Sequence, residues 1–427
     1  MALLIKNGRL IDPATQTDGI FDILIEDGMI KEIAPQIRTG ELTEMINASD
    51  LIISPGFIDI HVHLREPGQE HKENIETGSK AAAHGGFTSI ACMPNTSPVN
   101  DNLDVTHFIQ KRAREVGIVN IFPVAAVSKN LESQELTDME SLVHAGARGF
   151  SDDGRCVMSE AIFKAALIKA KDLHVPIIEH PEDHSISLDG QVNEGAFSHH
   201  CQLKGIPAAS EDVIIERDIR LQEEIGSYLH LTHISTEGAV RLLADAKKRH
   251  VAVTSDVTPH HLLLDESAIK GCDPLFKMKP PLRTARDREA VVKGIQNGTI
   301  DCIATDHAPH SPEEKNRPFA EAPFGVTGLE TAFSVIYDRL VKPDIITLHQ
   351  LIRLFSTHPA QVLHLTNRGM VKPGVPADLT ILNLEEPFKI SSENFYSRSV
   401  NSPFIGWEGE GVVEYTIVNG AVVYRRL

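Results

Sequence analysis

The chain has 427 residues, 41% hydrophobic and 23% charged, the proportions of an ordinary globular protein, which excludes wholesale disorder. Its formal net charge of −18 works against binding a phosphate backbone and leaves room for a local cationic pocket that takes a small anion, so neither nucleic acid nor membrane is expected as a partner. The five cysteines are odd in number and form no CxxC pair, which argues against a disulfide framework or a zinc ribbon and fits a reducing cytoplasm. The N-terminus meets Lys6 and Pro13 too soon for a signal-peptide apolar region, and no stretch approaches the ~18 uninterrupted apolar residues of a membrane span.

Residues 1–54 read as short strands, LLIKNGRLI and DILIEDGMIKEI, divided by Pro, Asp and Gly turn signals. From residue 55 to 366 the texture changes to strand-like runs alternating with amphipathic helical patterns. The strands are GFIDIHVHL, FTSIACMPN, NIFPVAAVS, ARGFSDDG, VPIIEHPED, YLHLTHIST, VAVTSDVTPHH and IDCIATDHAPH, and the helical patterns include SEAIFKAALIKAKDLH and EGAVRLLADAKKRH. Residues 326–366 add helices after the last strand. Residues 367–427 return to the β texture and end in VVEYTIVNGAVVYRRL, where Asn419-Gly420 between two apolar alternations signals a hairpin. The expected fold is α/β: a (β/α)8 TIM-like barrel over 55–366, with a small β-sandwich domain built from 1–54 and 367–427 together.

In the first barrel strand, within PGFIDIHVHLREPG, residues His61, His63 and Arg65 project to one side, because successive side chains of a strand alternate. Catalytic groups of such barrels sit at the C-terminal ends of the strands. The polar residues falling there are His61 and His63, Asp152 and Asp153 in the fourth strand, His180 in the fifth, His233 in the sixth and Asp306 in the eighth. Imidazoles and carboxylates are the ligand set for zinc or a similar divalent ion, and one carboxylate can offer an oxygen to each of two ions, so the pattern suggests a two-metal site. Each signal is weak alone; their joint placement carries the inference, since burying so many ionisable groups without a metal is costly. Of the two neighbouring aspartates only one can face the mouth if the strand persists, and Asp153 is the expected one. His260 and His261 in TPHHLLL read as structural, and His199 and His200 lie in a loop-like stretch.

PGFIDIHVHLREPG, ACMPNTSPV, GFSDDG, the His180 and His233 strands, KMKPPLR, ATDHAPH and PFGVTGLE together resemble the dihydroorotases of the class I, multifunctional type, in the amidohydrolase superfamily. The resemblance runs over nearly the whole chain. It implies a zinc-dependent cyclic amidohydrolase that interconverts N-carbamoyl-L-aspartate and L-dihydroorotate plus water in de novo pyrimidine (UMP) biosynthesis. It implies two zinc ions per subunit, with His61, His63 and Asp306 on one, His180 and His233 on the other, and Asp153 and a hydroxide bridging them. It further implies that Arg65, Asn95 and His310, with His63 beside them, hold the substrate carboxylate, that Phe324 and Gly325 line the ring, and that Asp306 carries the proton. A cytoplasmic homo-oligomer is implied too, with aspartate transcarbamoylase as a partner in some class I relatives.

Two departures stand out. Many amidohydrolases bridge their metals with a carboxylated lysine from the fourth strand, but no lysine lies between Lys129 and Lys164, so Asp153 must substitute and the dihydropyrimidinase-like relatives are disfavoured. In KMKPPLR this chain has Lys279 where the family often has Asn, which offers the substrate a cation or points to solvent. The polar loop HSPEEKNRP, residues 310–318, reads as a lid or as solvated charge. The competing readings are an amidohydrolase acting on a neutral ring such as allantoin or a hydantoin, and a metal-free scaffold for aspartate transcarbamoylase.

Overall fold

Short apolar runs buried on both faces form the centre of the protein, as parallel strands covered by helices require. The structure, a computed structural model, describes residues 2–38 and 44–426. Eight strands follow in chain order: Phe57–Val62, Phe87–Cys92, Asn120–Ala125, Gly149–Phe150, Ile177–Glu179, Leu229–Leu231, Val253–Val257 and Cys302–Ile303. Each lies parallel to the next. The circle closes where Val62 bridges His307 and the His63 N–H donates to the His307 carbonyl at 2.9 Å. Asp59 reinforces that seam from within: its carboxylate is fully buried and accepts from the N–H of His61 at 3.0 Å and of Thr305 at 3.1 Å. The expected barrel is therefore present, with its strands in sequence order.

The helices between strands begin where the sequence offers a cap. Ser159 accepts from the Ile162 N–H and opens the helix Glu160–Leu173, which buries Phe163, Ala166, Leu167 and Ala170, a spacing of three and four that lays one stripe on the barrel. Thr236 opens Glu237–Lys248 in the same way.

The two chain ends build one sheet. Its strands are Ala2–Asp12, Thr17–Glu26, Met29–Ala34, Glu44–Asn47, Ile52–Pro55, Leu379–Lys389, Glu408–Val418 and Ala421–Arg425. Antiparallel pairing of Ile52–Pro55 with Leu379–Lys389 joins the halves, over a core in which Ile5, Ile23 and Ile53 meet Leu379, Ile381 and Ile417. The hairpin turns at Asn419 and Gly420, with φ of 47° and 78°, the double left-handed turn that Asn-Gly favours. Between the tail strands the chain leaves this sheet: Ile390 and Phe404 join the barrel's core, and Asn401 reaches the barrel mouth. All five cysteines are free thiols, and no helix among the described residues is long and apolar enough to cross a membrane.

Phe57 at the start of the first strand ties the barrel to its late helices. It is fully buried and its ring lies 5.2 Å from Phe355, 5.8 Å from Phe333 and 6.0 Å from Phe87. Phe57→Ala should lower stability by about 3–5 kcal/mol, read as a fall in the urea midpoint; an unchanged midpoint would show that these helices do not depend on the packing.

Candidate metal centre

The chain is held in costly backbone conformations where it passes the barrel mouth. Arg65, His233 and Asp306 all have left-handed φ, at 59°, 41° and 46°. Non-glycine residues adopt this region at a cost that the surrounding structure must hold in place, and such positions cluster at functional sites. Here the turns aim three polar side chains across the mouth instead of along the strands.

Asp153 stands at the centre. Its Oδ1 lies 3.3 Å from His61 Nε2, 3.4 Å from His180 Nδ1 and 3.7 Å from His233 Nε2, while its Oδ2 lies 3.4 Å from His63 Nε2. One oxygen therefore faces three imidazoles and the other faces the fourth. Asp306 Oδ1 lies 3.0 Å from His63 Nε2 and 3.5 Å from His61 Nε2. The donor atoms of His61, His63 and Asp306 all fall within 4.8 Å of one another, as do those of His61, Asp153 and His233. His180 joins through Nδ1, 2.9 Å from His233 Nε2. Asp152 turns away and accepts from the Ser128 N–H at 2.9 Å. The fourth strand ends at Phe150, so loop geometry and not strand alternation separates the two aspartates.

The donor set fits a divalent cation. The Thr232 hydroxyl donates to Asp256 at 2.8 Å and so must accept from His61 Nδ1–H at 2.7 Å, which leaves the lone pair of His61 on Nε2. That Nε2 is buried, has no hydrogen-bond partner among the described residues, and faces both carboxylates. His63 Nδ1 is engaged with Asn95 Oδ1 at 2.9 Å and His180 Nε2 with Glu182 Oε2 at 3.1 Å, so these rings also direct their remaining nitrogens inward. Burial disfavours charge on His61 and His180, yet Asp153 overcomes it and raises them to about 10 and about 9. Burial, with Arg65 adding to it, holds His63 below its ordinary value, and burial likewise lowers His233. Burial also penalises the charge on Asp153 and Asp306, and the surrounding imidazoles overcome it and keep both carboxyls well below their usual range. Two buried carboxylates drawing protons onto their neighbours is the electrostatics of a site that takes positive charge.

Arg65 lies beside this cluster. Burial leaves it 8% exposed and lowers it to about 10, so it stays charged at neutral pH. Its Nε donates to the Pro309 carbonyl at 3.3 Å, and Nη2 lies 3.4 Å from His310 Nε2. Among the described residues no carboxylate lies within 4.0 Å of its guanidinium; neighbouring Glu66 pairs with Arg112, and Glu182 with Lys279. His310 Nε2 lies 2.8 Å from the Phe324 carbonyl, and burial, with Arg65 adding to it, holds this imidazole neutral, down to about 2. Gly325 has φ of 130°, and a Cβ there would come within 2.8 Å of Ala308 and 3.1 Å of His310, so only glycine closes this wall. Asn95 serves His63 through Oδ1 and lies 3.5 Å from Asp153 through Nδ2.

Three sequence expectations change, at Lys279, at Lys315 and at His199 and His200. The Lys279 ammonium, expected for the substrate or for solvent, is committed to Glu182 at 2.8 Å. Lys315, read as part of a lid or of a solvated charge run, is buried and donates to the carbonyls of Lys277 at 3.1 Å and Pro323 at 3.0 Å, pinning the 310–318 turn. His261 is structural, bonded to Thr258 and the Pro280 carbonyl, and His260 is buried beside it. His199 and His200 lie on a short helix, Ala196–Cys201, and are exposed. Sequence reading missed Thr232, Asp256 and Asn401, and took Glu182 only as a possible partner for Arg65 where it bonds His180. The first is legible in hindsight as the neighbour of His233; Asn401, which donates to the Ala308 and Gly325 carbonyls and accepts from the His310 N–H, lies 91 residues from His310 and left no signal.

Comparisons with known proteins identify the family. The family profile described as Dihydro-orotase-like matches residues 50–239, and that of the Amidohydrolase family matches residues 278–424. A dihydroorotase of Geobacter metallireducens is 45% identical over 426 residues, covering 100% of both chains. The chain belongs to the dihydroorotase family. A dihydroorotase of Acetivibrio thermocellus is 46% identical over 99% of each chain. Among solved structures, the L-hydantoinase (dihydropyrimidinase) of Arthrobacter aurescens superposes with a TM-score of 0.90 at 26% identity, over 99% of this chain and 96% of that one. The dihydropyrimidinase of Brevibacillus agri NCHU1002 does so with 0.88 at 24%, over 100% and 95%, which shows the shared barrel fold. The protein is thus a cyclic amide hydrolase of this family with His and Asp groups that could bind metal.

Ligation needs neutral imidazoles, and without metal His61 and His180 hold extra protons at neutral pH because their values lie at about 10 and about 9. Metal uptake should therefore release protons, and apparent affinity should rise with pH until those values are passed. A zinc titration in two buffers of different ionisation enthalpy measures this; zinc uptake without proton release at neutral pH would contradict the arrangement.

Proposed function

We propose that the protein is a class I dihydroorotase that holds two zinc ions and interconverts N-carbamoyl-L-aspartate and L-dihydroorotate plus water, a step of pyrimidine synthesis. The observation that carries the substrate assignment is Arg65: a buried, charged guanidinium without a carboxylate partner among the described residues, beside the cluster of imidazoles and aspartates. A buried cation is costly until an anion meets it, and a guanidinium matches a carboxylate with two parallel hydrogen bonds. L-dihydroorotate brings that carboxylate; a neutral ring such as a hydantoin would leave Arg65 unpaired.

The residues then divide the work. His61, His63 and Asp306 would hold one ion, His180 and His233 the other, with Asp153 between them. Ions held there would supply a water whose pKa falls from ~15.7 to about 7 and positive charge for the oxyanion that forms at the amide carbonyl. Asp306 is ionised at neutral pH and accepts the proton of the attacking water, then gives it to the departing ring nitrogen, which a poor amine leaving group requires. In the reverse direction the same carboxyl takes the proton from the carbamoyl nitrogen as it closes the ring and returns it to the oxygen that leaves the carboxyl carbon as water. Arg65, His310 and Asn95 orient the carboxylate, and Phe324 and Gly325 line the ring. Solution in the cytoplasm as a homo-oligomer, with aspartate transcarbamoylase as partner, completes the reading by analogy with the family.

The test is ring opening of L-dihydroorotate by zinc-loaded protein, with dihydrouracil and allantoin in parallel and a chelated control. Turnover confined to dihydroorotate and lost on chelation is expected; turnover of a neutral ring would overturn the substrate. Arg65→Met should raise KM for dihydroorotate by roughly 10- to 150-fold with metal content unchanged, the worth of a charge-assisted hydrogen bond. Asp306→Asn should lower kcat by about 10²- to 10⁴-fold, the usual share of a positioned acid–base group; near-normal turnover would remove it from the mechanism.

A further inference from the structure

Glu182 and Lys279 adjoin the candidate centre without a part in the chemistry above. Glu182 is 6% exposed; its Oε2 lies 3.1 Å from His180 Nε2 and its Oε1 lies 2.8 Å from Lys279 Nζ. His184 Nδ1 stands 3.7 Å from the same Oε1. The opposite nitrogen of His180, Nδ1, is the one that faces Asp153 and His233. A neutral imidazole offers a metal only the nitrogen without a proton, and half a turn about its χ2 bond swings that nitrogen out of the site. A carboxylate on Nε2 holds the proton there, leaves the lone pair on Nδ1, and stops the turn. Glu182 in turn needs a cation, because an unpaired carboxylate buried at this depth would be strongly disfavoured. Lys279 supplies it, with its Nζ also 5.4 Å from the centre of the Phe324 ring.

We propose that Glu182 and Lys279 are positioning residues that lock His180 as a ligand of the second ion, so that the lysine this chain carries before its two prolines acts through the metal site and not on the substrate. The inference rests on reading Asp153, His180 and His233 as ligands.

The test counts zinc per protomer and measures affinity by competition with a chromogenic chelator, which does not depend on turnover. Wild-type protein should hold two ions. Glu182→Ala should bind the second ion about 10- to 100-fold more weakly and keep the first, on His61, His63 and Asp306. Glu182→Gln keeps the side chain's volume and should show a loss in the same direction even if the alanine variant fails to fold. Lys279→Met should weaken the second ion in the same direction, and Lys279→Arg should restore it, which a merely structural role would not do. Two ions at wild-type affinity in Glu182→Gln and Lys279→Met would overturn the positioning role alone. No ion in the wild type would overturn it together with the metal reading.

Discussion

Val62 meets His307 across the seam where the eighth barrel strand closes on the first, and the rest of the site follows from that contact. Parallel pairing there sets residues 61–65 beside residues 306–310. It brings His61 and His63 to Asp306, and Arg65 to His310, although some 245 residues separate them in the chain. Asp59 holds the seam from inside by accepting from the backbone of both strands. A barrel that failed to close would hold none of these pairs, because a strand end at an open edge has no neighbour on one side.

Concentrating four imidazoles and two carboxylates at one buried point is unfavourable unless the surroundings answer for it. They do so in two ways. Thr232, Asn95 and Glu182 each engage the outward nitrogen of one imidazole, which orients the rings so that their inner nitrogens converge. The backbone at His233 and Asp306 is held left-handed, a conformation that only a fully packed neighbourhood sustains. Both are ways in which folding energy is spent to preorganise a site that otherwise would relax by turning its rings away.

The barrel is common to this chain and to an L-hydantoinase and a dihydropyrimidinase. Fold therefore does not decide the ring that is opened. What can decide it is local, and this chain carries an aspartate and no lysine just past the fourth strand and, just past the first, a buried guanidinium with no carboxylate partner among the described residues. The wall beside that guanidinium depends on Gly325 and on Asn401, which comes from the chain's tail and fastens the loop that carries His310.

The helix caps at Ser159 and Thr236 came from the structure, whereas the barrel's strand order, the Asn419-Gly420 hairpin and the set of polar strand-end residues were legible in the sequence, because each rests on local periodicity or on a residue's own backbone preference. So was the choice of Asp153 over Asp152, although the strand that was to separate them ends three residues earlier and a loop does the work. Only the tertiary structure decided where long side chains end. Lys279 is drawn to Glu182, Lys315 is buried against carbonyls, and Asn401 arrives from another part of the chain. A flexible cation reaches many partners and the sequence ranks none of them, whereas burial leaves it only the partner that is present when the loops have packed.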